Sequence, residues 1–213
     1  MSLPLRLALR ELRGGLVGLR LLAVCLILGV AALAGVGSLA SAITAGLSER
    51  GQLILGGDVE ARLTGRQATP EERARCDKAG TTSEIVRLRA MAGPASSDTR
   101  QLVEPKAVDA RWPLYGRFAL QGGGTNVAPG TAAIAPALAD KLGVRPGDSL
   151  AIGNSRFTIA GLIADEPDKA AEGFGLGPTV IISLADLDAT GLTAPGSLYR
   201  SQYRIRLPAD AAP

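Results

Sequence analysis

The apolar positions of this chain change period sharply near residue 48. Residues 21–48 form a run of 28 positions without one charged side chain. A helix needs about 20 apolar residues to cross a hydrocarbon layer of roughly 30 Å. Leu21–Ile43 alone meets that need, so one long transmembrane helix is predicted over residues 21–50. Ahead of it, residues 3–16 place Leu5, Leu9, Leu12 and Leu16 at helical spacing, with Arg6, Arg10 and Arg13 on the adjoining face. That pattern predicts an amphipathic helix lying in the membrane interface, within a cytoplasmic segment 1–20. Pro4 suits its first turn, and Gly14-Gly15 interrupt it before the span.

After the run, short alternating segments and short helical ones interleave. Strands are predicted at 58–63, 86–90, 101–110, 132–134, 150–152, 157–163, 179–182 and around Tyr203, Ile205 and Leu207. In the last of these, Arg204 and Arg206 alternate with the apolar residues. One helix opens at Thr69-Pro70-Glu71-Glu72 and stops near Gly80, and a second runs from Pro136 to Gly143. A third is predicted from Ser183, with Asp186 completing a capping box, to Gly191. Gly153-Asn154 marks a hairpin, and Trp112-Pro113-Leu114-Tyr115-Gly116 a turn that buries its aromatics. The fold class expected is therefore α+β. An N-terminal amphipathic helix and one transmembrane helix precede a mixed α+β extracytoplasmic domain over 51–213, incomplete as the sequence stands.

Charge orients the anchor. The chain holds 23 basic and 20 acidic residues. Residues 1–20 contain Arg6, Arg10, Arg13 and Arg20 against Glu11, which leaves 19 of each sign (23 less 4, 20 less 1) in residues 49–213. Short arginine-bearing flanks stay cytoplasmic, so the N-terminus is expected inside and everything after about residue 48 outside. The four arginines would anchor the helix at the lipid interface. The exterior part is neutral and aromatics are 3% of the chain, which removes the support for nucleic-acid binding. A removable signal peptide, with Ala40-Ser41-Ala42 as cleavage site, is the competing reading. The length of the uncharged stretch and the helical pattern of its lead favour an uncleaved anchor.

The outer half of the span sorts its residues by size. Ala34, Ser38, Ala42 and Gly46 recur every four residues, with Gly37, Ser41 and Ala45 in a row beside them. Leu33, Val36, Leu39, Ile43 and Leu47 fall on the opposite side. Faces of small residues let helix backbones approach closely, so this one is expected to pack on another transmembrane helix. Small residues are common throughout this Ala- and Gly-rich chain; their segregation from the bulky stripe is what favours packing.

Candidate chemistry is sparse. The chain has no His, which removes Ser-His and Cys-His nucleophile systems and the commonest zinc ligand. Gly147-Asp148-Ser149-Leu150 spells a lipase-like nucleophile signature but lacks its base, and reads as a turn opening a strand. Gly122-Gly123-Gly124 and Gly173–Gly177 lack a following Lys-Ser/Thr and read as flexible loops. Asp165, Glu166, Asp168 and Glu172 form an acidic cluster without ligand spacing, read as a solvated loop. Cys25 lies inside the span and Cys76 far outside it, so the two cannot pair; Cys76 is expected free, with pairing to another chain as the alternative. No catalytic residue, cofactor or metal is expected.

Several segments resemble one family. Leu7-Ala8-Leu9-Arg10-Glu11-Leu12-Arg13-Gly14-Gly15 followed by a span resembles the start of FtsX-like ABC-transporter permeases. Leu55-Gly56-Gly57-Asp58-Val59-Glu60 is similar to their exit into the periplasm. Leu102-Val103-Glu104-Pro105-Lys106-Ala107-Val108-Asp109, with Pro113-Leu114-Tyr115-Gly116, resembles the MacB-type periplasmic core domain of YbbP-type permeases. Leu142–Asp148, Phe157–Gly161 and Ser183–Leu187 continue the likeness. The resemblance implies a bacterial inner-membrane permease subunit, here its N-terminal part. It would work with a cytoplasmic ABC ATPase and with other permease helices or a second permease copy. The implied task is export or extraction of a hydrophobic or lipid-linked substrate, or mechanical transmission, without enzymatic activity of its own. A membrane-anchored periplasmic binding or sensor module without transport is the alternative.

Overall fold

The computed structural model describes residues 16–169, 175–194 and 196–208, with the backbone alone for residues 16–19, 44, 45 and 47–50. The amphipathic helix expected at 3–16 falls, but for Leu16, outside the described residues, as do Arg6, Arg10 and Arg13. The chain divides into two compact units, residues 1–49 and 50–213, taken here in turn.

Helix α1 (Leu16–Leu55) runs for 40 residues, past both predicted ends of the span. Its Leu- and Ala-rich sequence holds no proline to break it. Within the first unit, Arg20–Ile43 is 24 residues long with a mean hydropathy of 2.4, and its side chains are exposed all round. Leu33 is 78% exposed and Val36 70% exposed. A helix apolar on every side is stable when lipid surrounds it. The last turn of α1 belongs to the second unit and ends at Gly56, whose φ of +70° is the left-handed stop that glycine takes without strain. The Gly56 N–H donates to the Gln52 carbonyl across that stop.

The second unit is built on one hairpin. Strands β2 (Thr81–Leu88) and β3 (Ala90–Pro94) are consecutive pieces of one arm, and β4 (Gln101–Val108) is the other. Beyond Arg89 the β3 end of the hairpin opens into a ring. There β3 pairs with β7 (Ser149–Ile152), β7 with β8 (Ser155–Asp165), and β8 with β6 (Thr131–Ile134). β6 then pairs with β9 (Thr179–Ser183), and β9 lies parallel to β4, which closes a barrel of six strands. At its other end the hairpin joins an open sheet in which β10 (Tyr199–Arg206) lies between β2 and β1 (Val59–Thr64).

Pro105 sits inside β4, where a central strand normally excludes proline. Glu104 N–H donates toward β9, and successive N–H groups alternate edges, so the missing donor of Pro105 faces the other edge. That edge is the seam between β2 and β3, where pairing lapses between Lys106↔Arg87 and Val103↔Ala90. Proline is thus placed where no ladder bond is lost.

The barrel interior is apolar: Val86, Ala92, Val103, Ile134, Leu150, Ile152, Phe157, Ile159 and Ile182 are buried together. Helix α3 (Pro136–Leu142) plugs it with Leu138, and Gly143 stops that helix in the left-handed conformation. A second, smaller cluster of Ile85, Val108, Phe118, Leu120, Val127, Ala133 and Ile181 covers the outside of the barrel wall. The excursion 109–130, with the two-residue β5 (Ala119–Leu120), forms its lid.

The expected α+β class is observed, with a barrel closure and β5 that the periodicities did not foretell. The helix expected from Ser183 to Gly191 is instead two 3₁₀ turns, Leu184–Asp186 and Asp188–Thr190. Ser183 Oγ caps the first as expected. Asp186 does not close the box, because its carboxylate accepts from Gly130 N at 2.8 Å across the domain. The loop around Gly175 and Gly177 is also packed rather than free. A side chain at Gly177 would collide with the Leu102 carbonyl, and the neighbouring Leu176 N–H is held by Glu104.

Candidate functional site: a charged junction where the chain enters and leaves the domain

The domain's first and last strands are neighbours, with Val59 opposite Ile205 and Thr64 opposite Arg200. The chain therefore enters and leaves at one spot. Asp58 holds that spot together. Its Oδ1 accepts from Gln52 Nε2 of α1 at 2.7 Å, while its Oδ2 accepts from the Tyr115 hydroxyl at 2.8 Å and from Leu207 N at 2.8 Å. One carboxylate so joins the end of α1, the turn after β4 and the residue that follows β10. Burial, together with the Asp58 carboxylate beside it, pushes the Tyr115 phenol above its ordinary value.

Beside this joint lies a buried group of charges. Lys106 Nζ donates to Glu166 Oε1 at 2.8 Å and to Asp168 Oδ1 at 2.6 Å, and all three side chains are almost wholly buried. Arg204 Nη1 donates to the other oxygen of Asp168. Arg204 Nε faces Glu60 Oε2 at 3.5 Å without a hydrogen bond, and Glu60 Oε1 accepts from Arg62 and from Gln202 Nε2. The Trp112 ring lies over the Lys106 ammonium, 4.7 Å from centroid to nitrogen. Asp109 positions that ring by accepting from Arg111 N and Trp112 N as the chain turns out of β4.

The electrostatics follow from this geometry. Burial alone would raise the Asp168 carboxyl, but the Lys106 ammonium and the Arg204 guanidinium outweigh it and hold it down at about 2. Removing one member of such a group leaves a charge in low dielectric without its counter-charge, which is far costlier than losing an exposed pair. On the opposite face of β10, burial pushes the Tyr203 phenol up to about 12, against the opposing pull of the Ala68 N–H it accepts from; its own donation to Glu84 adds to the rise.

Two glycines bring the end of α1 onto this group. A side chain at Gly56 would run into the Arg204 guanidinium, and one at Gly57 would press on Arg204 Cβ. The sequence Gly56-Gly57-Asp58 is thus the local instruction: two residues without side chains lay the chain over Arg204, and the third pins it.

The predicted residues fall as follows. Ala34, Ser38, Ser41 and Ala42 lie on α1 with exposed side chains, Gly37 is exposed, Gly46 is half-buried, and only the backbone of Ala45 is described. At 3.6 residues per turn they occupy one half of the helix surface and the bulky residues the other. Arg20 is exposed at the start of the apolar segment. The acidic cluster departs from its reading as a solvated loop. Glu166 and Asp168 are buried on Lys106, an internal cation where a bound ion had been the alternative; Glu172 lies outside the described residues. Arg204 is 1% exposed because the loop carrying Asp168 closes over its face of β10. Among the described residues no group of His, Cys, Asp and Glu is placed to hold a metal ion. Cys25 and Cys76 are free thiols.

Sequence reasoning did not single out Lys106, Glu60 or Arg204. A lysine in the run Val103-Glu104-Pro105-Lys106-Ala107-Val108 and an acidic cluster 60 residues on were the available signal, visible only once both are known to be buried.

Residues 21–212 match the MacB-like periplasmic core domain family. The chain belongs to that family. It is 31% identical over 181 residues to the uncharacterized ABC transporter permease YbbP of Escherichia coli (strain K12), a match covering 84% of this chain and 22% of that relative. The chain thus spans under a quarter of the relative's length. Among solved structures, the extracellular domain of the noncanonic ABC-type transporter YknZ from Gram-positive bacteria is similar with a TM-score of 0.46 and 11% identity. That match covers 71% of this chain and 86% of YknZ's domain. The periplasmic region of MacB from Actinobacillus actinomycetemcomitans gives 0.44 and 9%, over 75% of this chain and 81% of that one. An apolar helix of spanning length followed by a periplasmic core domain makes this family member a membrane protein.

Proposed function

We propose that this chain is the first membrane helix and periplasmic core of an ABC-transporter permease, and that its work is mechanical. The N-terminus lies in the cytoplasm of a bacterial cell, α1 crosses the inner membrane, and the residues after about 48 are periplasmic. Arg6, Arg10, Arg13 and Arg20 hold the helix at the lipid headgroups. The face of Ala34, Gly37, Ser38, Ser41, Ala42, Ala45 and Gly46 packs on another permease helix or on a second copy. A separate cytoplasmic ATPase hydrolyses ATP; the permease carries the resulting motion outward, to export or extract a hydrophobic or lipid-linked substrate or to transmit force. The chain itself catalyses nothing.

The observation that carries this reading is the joint at Asp58. A helix end, a strand leaving the domain and the turn after β4 meet on one carboxylate, so displacement of the helix is delivered to both ends of the domain at once. The buried salt bridges behind it make the receiving sheet stiff, since each ion needs its neighbours in place. The test is Asp58→Ala in the intact permease with its ATPase. Assembly should persist while transport per ATP hydrolysed falls at least several-fold; unchanged coupling would sink the mechanical reading. Ser38→Leu with Ala42→Leu should instead lower recovery of the assembled complex, and full recovery would remove the packing role of that face.

A further inference from the structure

The outside of the barrel wall changes character along the hairpin. Arg87, Arg89 and Met91 face outward, because Val86, Leu88, Ala90 and Ala92 between and beside them face the apolar interior. The register sets Lys106 opposite Arg87 and Leu102 opposite Met91, and Arg200 of β10 lies on the other side of Arg87. Lys106 has its two carboxylates. Arg200, exposed at the end of that row, has no ion pair or side-chain hydrogen bond among the described residues. Arg89, the next outward residue on the hairpin, has a side chain 61% exposed. Its Nε stands 4.0 Å from Glu104 Oε1, too far for a hydrogen bond, and that oxygen accepts the Leu176 N–H instead. Diagonal neighbours on adjacent strands stand about 7–8 Å apart. The guanidiniums of Arg200 and Arg89 therefore reach one small anion between them, and their planar forks suit a phosphate.

Beyond the two arginines the wall is apolar. Met91 is 50% exposed, its cross-strand partner Leu102 36% and Leu176 66%. Leu176 is held beside that pair, where Gly177 lies against the Leu102 carbonyl. Leu198, just before β10, is 87% exposed, and the register carried one residue further sets it beside Arg89. From the row of Arg87 and Arg200 to Met91 is four residues, about 13 Å along the strand. Apolar residues scattered singly over a surface need no partner, whereas a contiguous group marks a binding surface. An interface with another protein has an apolar centre and a polar rim. Here polarity changes along one line, cationic at one end and apolar at the other. Both edges of β3 and of β4 carry neighbouring strands, so an occupant meets side chains rather than an open backbone edge. A charged head with one hydrocarbon tail matches that line.

We propose that this strip binds a single-tailed anionic lipid, its phosphate on Arg200 and Arg89 and its chain along Met91, Leu102 and Leu176. As a substrate class, such a lipid rests on the reading of the chain as part of a permease.

The experiment uses the full chain in nanodiscs of a zwitterionic lipid. Octyl phosphate is the probe, with inorganic phosphate and octyl glucoside as head-only and tail-only controls. The chain has two methionines, Met1 and Met91, so methyl-labelled methionine gives one NMR signal in the strip and one from the N-terminus. Octyl phosphate should shift the Met91 signal saturably and leave Met1 in place, with affinity on the order of tenfold above either control. Arg89→Gln with Arg200→Gln should weaken binding by about tenfold, and so should Leu102→Gln with Leu176→Gln, each with the parent's melting temperature. Arg200→Gln alone, at a side chain with no partner to lose, should weaken it about threefold even where a double variant fails to fold. Arg145→Gln, an exposed arginine before β7, should bind as the parent does. Equal affinity for octyl phosphate and octyl glucoside overturns the headgroup site. Met1 and Met91 moving together, or binding that every variant leaves intact, overturns the strip. If the probe binds as expected while Asp58→Ala leaves coupling unchanged, the lipid site stands and the mechanical reading falls. Absent binding with coupling lost in Asp58→Ala does the reverse.

Discussion

The two halves of the domain hold themselves together by opposite means. The barrel encloses Ile134, Leu150, Ile152, Phe157 and Ile182, with no ion among them. The open sheet buries Lys106, Arg204 and Asp168, with Glu60 and Glu166 at their sides. An apolar interior is close-packed, and its contacts are individually weak and undirected. A buried ionic interior is held by directed pairs, and each charge loses heavily when its neighbour is removed. The charged half is the one that receives α1 and holds β10. The division suggests that the barrel supplies stability and the charged sheet supplies a fixed geometry at the entrance.

Paired substitutions break the comparison most directly. Asp168→Ala should destabilise the chain by about 3–5 kcal/mol, because Lys106 and Arg204 are left buried with too little counter-charge. Phe157→Ala should cost a similar amount, about 3–5 kcal/mol, through the cavity it leaves in the barrel. Denaturant titration in detergent gives both numbers. Charge-neutral rescue tells them apart: an apolar replacement of the whole ionic group should recover stability at the sheet, whereas nothing polar should rescue the barrel. A loss under 1 kcal/mol at Asp168 would mean the junction is hydrated.

Acid titration sharpens the contrast. The folded Asp168 carboxyl, at about 2, lies below its unfolded value near 4, so its contribution is present above pH 4 and disappears as pH falls toward 2. That difference corresponds to about 2–3 kcal/mol. The stability of Asp168→Asn should therefore fall less steeply between pH 4 and 2 than that of the parent, and Phe157→Ala should keep the parent's slope. Equal slopes for the parent and Asp168→Asn would refute the depressed carboxyl.

The smallest effect belongs outside both cores. Helix α2 (Pro70–Ala79) buries none of its residues and begins with a capping box, in which Thr69 Oγ1 accepts from Glu72 N and the Glu72 carboxylate accepts from Thr69 N. Thr69→Ala should cost about 1 kcal/mol. Hydrogen exchange should speed up in that helix while the barrel amides stay as they were; acceleration in the barrel would mean the helix is part of its cooperative unit.

What could be read from the sequence was whatever neighbours decide. The Thr69 cap, the Gly143 stop and the Gly153-Asn154 hairpin are settled within a few residues, and all three occur as the spacing predicts. The length of the apolar run gave the spanning helix in the same way, although α1 continues to Leu55 because nothing before Gly56 stops it. Ring closure was hidden because it depends on β9 meeting β4 across some 70 residues, and no period encodes that pairing. The junction was hidden for a related reason. Alternation placed Arg204 on the face opposite Tyr203 correctly, but whether that face meets water is decided by a loop far away in sequence that brings Asp168. Asp186 taught the same lesson in reverse: a local box was overruled by a distant N–H at Gly130.

The adjacency of β1 and β10 also bears on how such a domain changes over generations. Everything between Thr64 and Tyr199 departs from and returns to one narrow gate. Loops there can lengthen, strands can be added to the ring, and a ligand surface can be remodelled without shifting the two threads that pass through it. Both ends of the domain thus meet at one place, and changes made between them leave that place as it is.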